Sequence, residues 1–210
     1  MRNKKLVLYL SLIATSILFF SSCKKDVSMP VSPVMSLNDF PVFKAGNWWK
    51  YEVVDLSNGS KVDTVTVKIE YEHISNSFQK HELVCGLYQQ GQLVDSATLS
   101  YTNYGGLEYT SLTNKALFQN YRLLFPLEQN KTWCYSDSSH VTYQKEYSVG
   151  GSTFIDNYIV DYSYGTFNVS ETQKIVISRN VGIVFKKFQG NTIGGNYISK
   201  TYSLVAYHLL

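Results

Sequence analysis

Proline is scarce in this chain of 210 residues, and three of its four prolines lie at or before residue 41. Proline removes a donor from the hydrogen-bonded ladder of a sheet, so only edges and turns accept it readily. The part of the chain beyond residue 41 contains Pro126 as its one proline, which is typical of a chain that is mostly strand. The 17 tyrosines and 11 phenylalanines favour the same structure.

Excess basic charge is also missing once the start of the chain is set aside. The full sequence carries 19 basic and 16 acidic residues, and Arg2, Lys4 and Lys5 precede any acidic residue. The rest of the chain is left with 16 residues of each sign. Because nucleic-acid surfaces need clustered Lys and Arg to neutralise phosphates, the sequence argues against a nucleic-acid partner.

Local signatures of catalysis and metal binding are absent as well. The four histidines show no HxH, HxxxH or HExxH spacing, so we expect no metal and no cofactor. Neither a GxSxG nucleophile elbow nor a phosphate-binding loop occurs. Glu70, Glu72 and His73 lie together on one predicted strand, which a solvated strand edge explains better than a site. We therefore predict that the protein is not an enzyme.

The N-terminus carries one uncharged, mostly apolar run, residues 6–20. It is shorter than the roughly 20 residues of a membrane-spanning helix and fits the core of an export signal. Phe20, Ser21, Ser22 and Cys23 resemble the bacterial lipobox, in which the cysteine is acylated and becomes the new N-terminus. We predict a helical signal peptide over residues 1–22 and lipidation of Cys23. An ordinary secretory signal or an uncleaved anchor helix are the alternatives.

These features predict a lipid-anchored protein of the bacterial cell envelope. Lys24 stands where an aspartate would act as an inner-membrane retention signal, which favours the outer membrane. Either face of that membrane, periplasmic or external, is compatible with the sequence. Residues 23–39 are interpreted as the acylated cysteine and a flexible tether, and residues 40–210 as a single β-domain.

Period-two alternation runs through that domain. Val65, Val67, Ile69 and Tyr71 alternate with polar residues, as expected of a strand with one buried and one wet face. Glycine-containing turn signals separate such runs, and residues 114–124 fit either a short helix or a strand. We predict an all-β, antiparallel fold of roughly ten or eleven strands, forming an open, curved barrel or a sandwich.

One segment is echoed within the chain. A Phe-Pro pair leads to Trp49 and Tyr51, and a second Phe-Pro pair leads to Trp133 and Tyr135. The favoured interpretation is that both segments start strands and place a tryptophan in the core. The alternative is a paired aromatic platform for a ligand.

Four segments together carry a resemblance: PVFKAGNWWKY, PLEQNKTWCY, YGTF and NVGIVF. They are similar to the PLKxGNxW-x-Y, PLxxGxxW, AGTF and GVGLV pattern of uncharacterised bacterial envelope proteins, many of them lipoproteins of Bacteroidetes. The resemblance spans most of the β-domain. Asn130 replaces the glycine of the second motif, and Tyr164 replaces a small residue in the third. The resemblance implies an all-β envelope domain of half-open barrel type and no catalytic residues.

Cys85 and Cys134 are the other two cysteines, and both fall in strand-like segments. In an oxidising envelope they could form a disulfide, which would contribute roughly 4 kcal/mol in the chain-entropy model. Two separate buried thiols are at least as well supported by the sequence. Both alternatives stay open at this point.

The leading functional prediction is a non-enzymatic module that binds an apolar molecule or lipid on an aromatic-lined concave face. Trp49, Tyr51, Trp133 and Tyr135 are its predicted ligand contacts. The alternative is a structural or adhesive component that docks on another envelope protein or on surface glycan, since tyrosine is favoured in recognition surfaces. A glycan hydrolase is a less favoured third class, because carboxylate pairs that meet only in the fold leave no local motif.

Overall fold

In the described part of the chain, twelve antiparallel strands form one continuous sheet in the computed structural model. The structure describes residues 33–40, 44–56, 60–75, 80–101, 105–112, 118, 120–134, 137–166, 169–191 and 197–210. The strands are β1 (Trp48–Asp55), β2 (Ser60–Ser75), β3 (Lys80–Gln89), β4 (Gln92–Tyr101), β5 (Gly106–Ser111), β6 (Tyr121–Leu124), β7 (Thr132–Cys134), β8 (Asp137–Val149), β9 (Ser152–Thr166), β10 (Val169–Ser178), β11 (Gly182–Asn191) and β12 (Tyr197–His208).

The sheet order is β6-β5-β4-β3-β2-β1-β12-β11-β10-β9-β8-β7. Consecutive strands pair with each other except for β6 and β7, and β1 also pairs with β12, so the first and last strands lie side by side. Among the described residues the two edges of the sheet are β6 and β7, in the middle of the chain. The sheet is therefore a nearly closed, barrel-shaped meander with one open seam between β6 and β7.

The predicted fold class is confirmed, and of its two forms the open, curved barrel is the one that occurs. The strand number is slightly higher than the predicted ten or eleven, and β6 and β7 are short strands of four and three residues. Strand alternation also holds over most of β2, where Val65, Val67 and Ile69 are buried. Tyr71 was expected on the same buried face but is 56% exposed, because the register with β3 shifts between Ile69 and Tyr71.

Two of the predicted turns are tight hairpins. Gln90 and Gly91 join β3 to β4, and Gly150 and Gly151 join β8 to β9, all with positive φ. Two successive residues at positive φ match the right-handed twist of the flanking strands. Glycine is required at position 150 for a second reason, since an added Cβ would lie 2.1 Å from the carbonyl oxygen of Leu204.

The ordered domain begins earlier than the predicted boundary at Phe40. Met35 is fully buried and exchanges two backbone hydrogen bonds with Leu127, at 2.9 and 2.8 Å. The Tyr158 hydroxyl donates to the carbonyl of Pro33 at 2.8 Å. A short 3-10 turn, Leu37–Asp39, follows. The predicted tether over residues 23–39 is therefore wrong from Pro33 onward.

All described residues belong to one compact unit, Ser32–Leu210. The predicted signal helix, residues 1–22, and the lipidation site Cys23 lie outside the described residues. Within the unit, one hydrophobic core occupies the inner face of the sheet and includes side chains from eleven of the twelve strands and from the N-terminal segment.

Candidate functional site

The centre of the barrel is filled by Phe118, which precedes β6 and is 3% exposed. Its ring centroid lies 5.3 Å from that of Tyr51, 5.4 Å from that of Tyr109 and 5.2 Å from that of Tyr202. These partners come from β1, β5 and β12. Phe118 therefore joins rings from distant parts of the sheet and occupies the space that a ligand of the barrel would need.

The cavity that remains beside Phe118 has a volume of about 30 Å³. A single water needs about 10–15 Å³ by this measure, whereas ligand pockets measure about 300–1,000 Å³. Its lining is apolar and aromatic and includes Trp49 and Tyr51. Among the described residues, the interior around Phe118 is therefore a packed core without room for a lipid.

Trp49 and Tyr51 use their polar atoms to hold the fold together. The indole Nε1 of Trp49 donates to the carbonyl of Val181 at 2.7 Å, and the hydroxyl of Tyr51 donates to the carbonyl of Ile183 at 3.0 Å. Burial raises the pKa of Tyr51. The first and last of the four resembling segments thus bind each other at the start of β11, which is a structural role.

The echoed segments share one backbone geometry. Gly46 has φ +97° and donates its N–H to the carbonyl of Ile69 at 2.8 Å, and Asn130 has φ +65° and donates to the carbonyl of Val141 at 2.8 Å. In each case the residue that accepts this bond donates its own N–H to the carbonyl of the residue that follows Gly46 or Asn130, at 2.9 Å. Asparagine tolerates positive φ better than most residues, which accounts for its place at a glycine position. Both segments therefore start strands.

A lysine is buried next to the Phe118 ring. Lys186 has no exposed surface, and its Nζ lies 4.7 Å from the ring centroid of Phe118 and 4.9 Å from that of Tyr121. Burial lowers the pKa of Lys186 well below its usual range, although the charge of Glu171 partly opposes the shift. Both rings present their faces to this side chain, as in cation–π contacts.

A concavity with both polar and aromatic lining lies on β7 to β10 and has a volume of about 810 Å³. Strand register places Ser139, Tyr162 and Gln173 side by side on the inner face of β8, β9 and β10, with Trp133 of β7 opposite Ser139. The groove also reaches His140 and Asp161, which oppose each other on the outer face. We refer to this concavity as the β7–β10 groove.

Two buried polar atoms in this groove have no hydrogen-bond partner within the described part of the chain: the Ser139 hydroxyl and Gln173 Oε1. Both side chains are 4% exposed. The amide nitrogen of Gln173 donates to the carbonyl of Asn120 at 2.9 Å and to the Glu171 carboxylate. Of the two polar atoms of the Gln173 side chain, only the NH₂ nitrogen can donate to two acceptors. Oε1 is therefore the atom left to accept a hydrogen bond in the groove.

The structure separates the four aromatic residues predicted to contact a ligand. Trp49 and Tyr51 line the small interior cavity, and Trp133 lines the β7–β10 groove. Tyr135 lies outside the described residues. Ser139, Gln173 and Lys186 had not been singled out from the sequence. The sequence did carry a signal for Gln173 and Lys186. Each is a polar residue in a strand, and the residue two positions further along, which faces the same side of the sheet, is apolar.

Cys85 is buried on β3, and burial, with a smaller effect from Glu70, raises the pKa of its thiol form to about 12. The side chain of Cys134 on β7 lies outside the described residues, so the bridge between them stays a prediction. The carboxylate of Glu70 accepts hydrogen bonds from Lys68 at 3.0 Å and from Tyr88 at 2.5 Å. Glu70 is thus held by its neighbours on the sheet.

In the part of the chain that the structure describes, no helix is long and apolar enough to cross a membrane. Nor does that part gather three or more His, Cys, Asp or Glu side chains in an arrangement that could hold a metal ion.

No protein-family model matches this chain, and no curated protein matches it at a significant level. Two solved structures are similar to it. A protein of Bacteroides fragilis NCTC 9343, provisionally described as an exported protein with a YmcC-like fold, has 10% sequence identity and a TM-score of 0.47, over 80% of this chain and 98% of its own. A provisionally assigned lipoprotein of Parabacteroides distasonis ATCC 8503 has 12% identity and a TM-score of 0.39, over 81% and 98%. Similarity at these values carries no conclusion about function.

Proposed function

We propose that this chain is a lipoprotein of the bacterial cell envelope whose β-domain binds a hydroxyl-rich molecule, such as a glycan, without chemically changing it. The β7–β10 groove is the observation that carries the proposal. Its volume of about 810 Å³ suits a ligand, whereas the interior cavity of about 30 Å³ does not. The geometry therefore favours the glycan-docking hypothesis over the apolar-carrier hypothesis.

The lining of the groove matches the chemistry of a sugar. Trp133 and Tyr162 offer ring surfaces to the apolar faces of a pyranose, and both rings carry a polar group at one end. Gln173 Oε1 accepts a hydrogen bond, and the Ser139 hydroxyl can donate or accept one. A buried acceptor without a partner is costly, so a ligand hydroxyl that satisfies it gains the difference.

The anchor is proposed on the sequence of the N-terminus alone. Acylation at Cys23 would hold the domain at a membrane, with the outer membrane favoured by Lys24. The chain enters the sheet where the carbonyl of Val34 accepts a hydrogen bond from Arg179, just beyond the end of β10. Gln173 lies six residues back along the strand, or about 20 Å.

A glycan array built from bacterial envelope polysaccharides tests the proposal with the full lipoprotein held in phospholipid nanodiscs. W133A and S139A are expected to weaken binding about tenfold or more, since truncating a central aromatic contact typically costs over 1 kcal/mol. W48A is the matched control, because Trp48 lies on the outer face of β1, away from the groove. Absence of binding, or equal binding by W133A and the parent, would refute the glycan proposal. Release of reducing ends from a bound polysaccharide would instead identify the enzymatic alternative.

The anchor has a separate test. Cells grown with an alkyne analogue of palmitate are expected to label the parent chain and not C23S. Separation of inner and outer membranes on a density gradient is expected to recover the labelled protein with the outer membrane. Equal labelling of C23S and the parent would remove Cys23 as the lipidation site.

A further inference from the structure

The outer face of the sheet carries a second concavity, on β1, β2 and β3. Its volume is about 450 Å³, and it is lined by Trp48, Lys50, Thr66, Lys68, Tyr88 and Gly91. In each of the three strands the lining residues alternate with buried ones, which places the concavity on the side of the sheet away from the core. We call this concavity the outer slot. Among the described residues it shares none with the β7–β10 groove.

Strand register arranges the outer slot around Thr66. This residue lies opposite Lys50 of β1 and opposite Tyr88 of β3. Trp48 and Lys68 oppose each other two residues further along on the same face. Because neighbouring strands lie about 4.8 Å apart, β1 and β3 stand about 10 Å apart on the two sides of the threonine. A six-membered ring can therefore lie over Thr66 with an aromatic side chain on each side.

Both aromatic side chains of the outer slot are held by neighbouring residues. The Trp48 ring stacks on His208, with ring centroids 6.2 Å apart and an interplanar angle of 22°. The Tyr88 ring lies across Gly86, where an added Cβ would be 2.8 Å from Cε2 of that ring. The Tyr88 hydroxyl donates to the Glu70 carboxylate at 2.5 Å. Side chains that are fixed before binding lose little conformational entropy when a ligand packs on them.

The two lysines of the outer slot differ in their electrostatic surroundings. The Lys68 amine lies 3.0 Å from the Glu70 carboxylate. Burial alone would raise the pKa of Glu70, but hydrogen bonds from Tyr88 and Lys68 together lower it, so this carboxylate is charged at neutral pH and offsets Lys68. Lys50 has no ion-pair partner within the described part of the chain. The outer slot therefore presents one uncompensated positive charge.

From this arrangement we infer that the outer slot is a second binding site, for an acidic sugar unit such as a uronate. The sugar ring lies over Thr66, and its apolar faces pack against the rings of Trp48 and Tyr88. Its carboxylate pairs with the Lys50 amine, and the Thr66 hydroxyl donates or accepts a further hydrogen bond. One uncompensated cation matches the single carboxylate of a uronate. The site uses no residue of the β7–β10 groove, so it goes beyond the proposed function.

Methyl glucuronide and its neutral amide, methyl glucuronamide, are the probes. The assay is a saturation-transfer NMR titration of the full lipoprotein in phosphatidylcholine nanodiscs. The parent is expected to bind the carboxylate about three- to fivefold more tightly than the amide, which is the upper range for a partly exposed ion pair. The preference is expected to shrink as the salt concentration rises. Equal affinity for the two probes, or binding of neither, would overturn the inference.

Variants of the lysines assign the preference to the outer slot. K50M is expected to remove the preference for the carboxylate, and K187M is expected to keep it. Lys187 is the matched control because it faces outward on β11, is half-buried like Lys50, and is not among the described residues that line either concavity. W48A is expected to weaken binding of the glucuronide about fivefold or more. An unchanged preference in K50M, or equal binding of the glucuronide by W48A and the parent, would contradict the site.

A third probe separates a sugar from a lipid headgroup. Glycerophosphoglycerol, the headgroup of an anionic phospholipid, carries one negative charge and no ring, so it is expected to bind more weakly than the glucuronide. Tighter binding of glycerophosphoglycerol would assign the outer slot to a lipid surface and overturn the inference. W133A is expected to leave the carboxylate preference intact, and W48A remains the control for uncharged glycans in the β7–β10 groove. Failure of either proposal therefore leaves the other standing.

Discussion

Met35 provides the sharpest test of where the domain begins. Its side chain has no exposed surface, and its backbone pairs with Leu127 through two hydrogen bonds. Met35→Ala keeps both backbone bonds and removes the buried side chain. Substitutions of this type cost about 2–5 kcal/mol, the transfer free energy plus the cavity that remains. Since a domain of this kind is stable by only about 5–15 kcal/mol, the loss is a large fraction of the total.

Urea unfolding followed by far-UV circular dichroism measures this loss as a lower midpoint with an unchanged slope. V34A is the matched control: Val34 is 43% exposed, and a change within about 0.5 kcal/mol is expected. M35L conserves the volume and should cost less than about 1.5 kcal/mol. A loss below about 1 kcal/mol in M35A would mean that residues 33–39 are a tether after all, as the sequence had predicted.

Four further predictions concern the interior. F118A should lower the free energy of unfolding by about 3–5 kcal/mol, as expected for a buried Phe→Ala change, and F118L should lower it less; equal stability of F118A and the parent would contradict the packing described. Y51F removes one buried hydrogen bond and should cost about 0.5–1.5 kcal/mol in urea unfolding. Cys85, with the pKa of its thiol raised to about 12, should resist iodoacetamide at pH 8 until urea unfolds the chain. Mass spectrometry of the unreduced, unfolded protein decides whether Cys134 is bridged to Cys85. K186M should be more stable than the parent near neutral pH, because burial disfavours the charged amine of Lys186 in the folded state. The difference in unfolding free energy should shrink as the pH rises toward the ordinary lysine pKa of about 10.4, where the amine is neutral in the unfolded chain as well.

Alternation in the sequence predicted the strands well because one face of the sheet is a continuous core. Val65, Val67 and Ile69 are all buried, as their spacing requires. The pattern broke at Tyr71, where one extra residue in β2 shifts the register with β3. A bulge of this kind moves every following side chain to the other face, and nothing in the local composition announces it.

The candidate groove was beyond the reach of sequence patterns for a different reason. Ser139, Tyr162 and Gln173 are separated by 23 and 11 positions along the chain and become neighbours only through the pairing of β8, β9 and β10. No spacing rule covers residues that meet across a ladder whose hairpin lengths are unknown. What the sequence did contain was a polar residue at an inward register position, Gln173, followed on the same alternation by the apolar residues Ile175 and Ile177. Such a residue indicates a buried polar group and leaves its purpose open.

Strand number explains why the aromatic residues fill the barrel when the sequence had indicated that they line a ligand cavity. A barrel of about eight strands is just filled by ordinary side chains, and one of 16–18 strands leaves a channel. A sheet of twelve strands lies between these cases and encloses more space than aliphatic side chains fill. Tyr109, Tyr158 and Tyr202 are fully buried, and Phe118 and Met35 are inserted from outside the sheet. A high aromatic content in such a chain therefore follows first from the geometry of closure, and ligand binding has to be argued from the polar atoms that the packing leaves without partners.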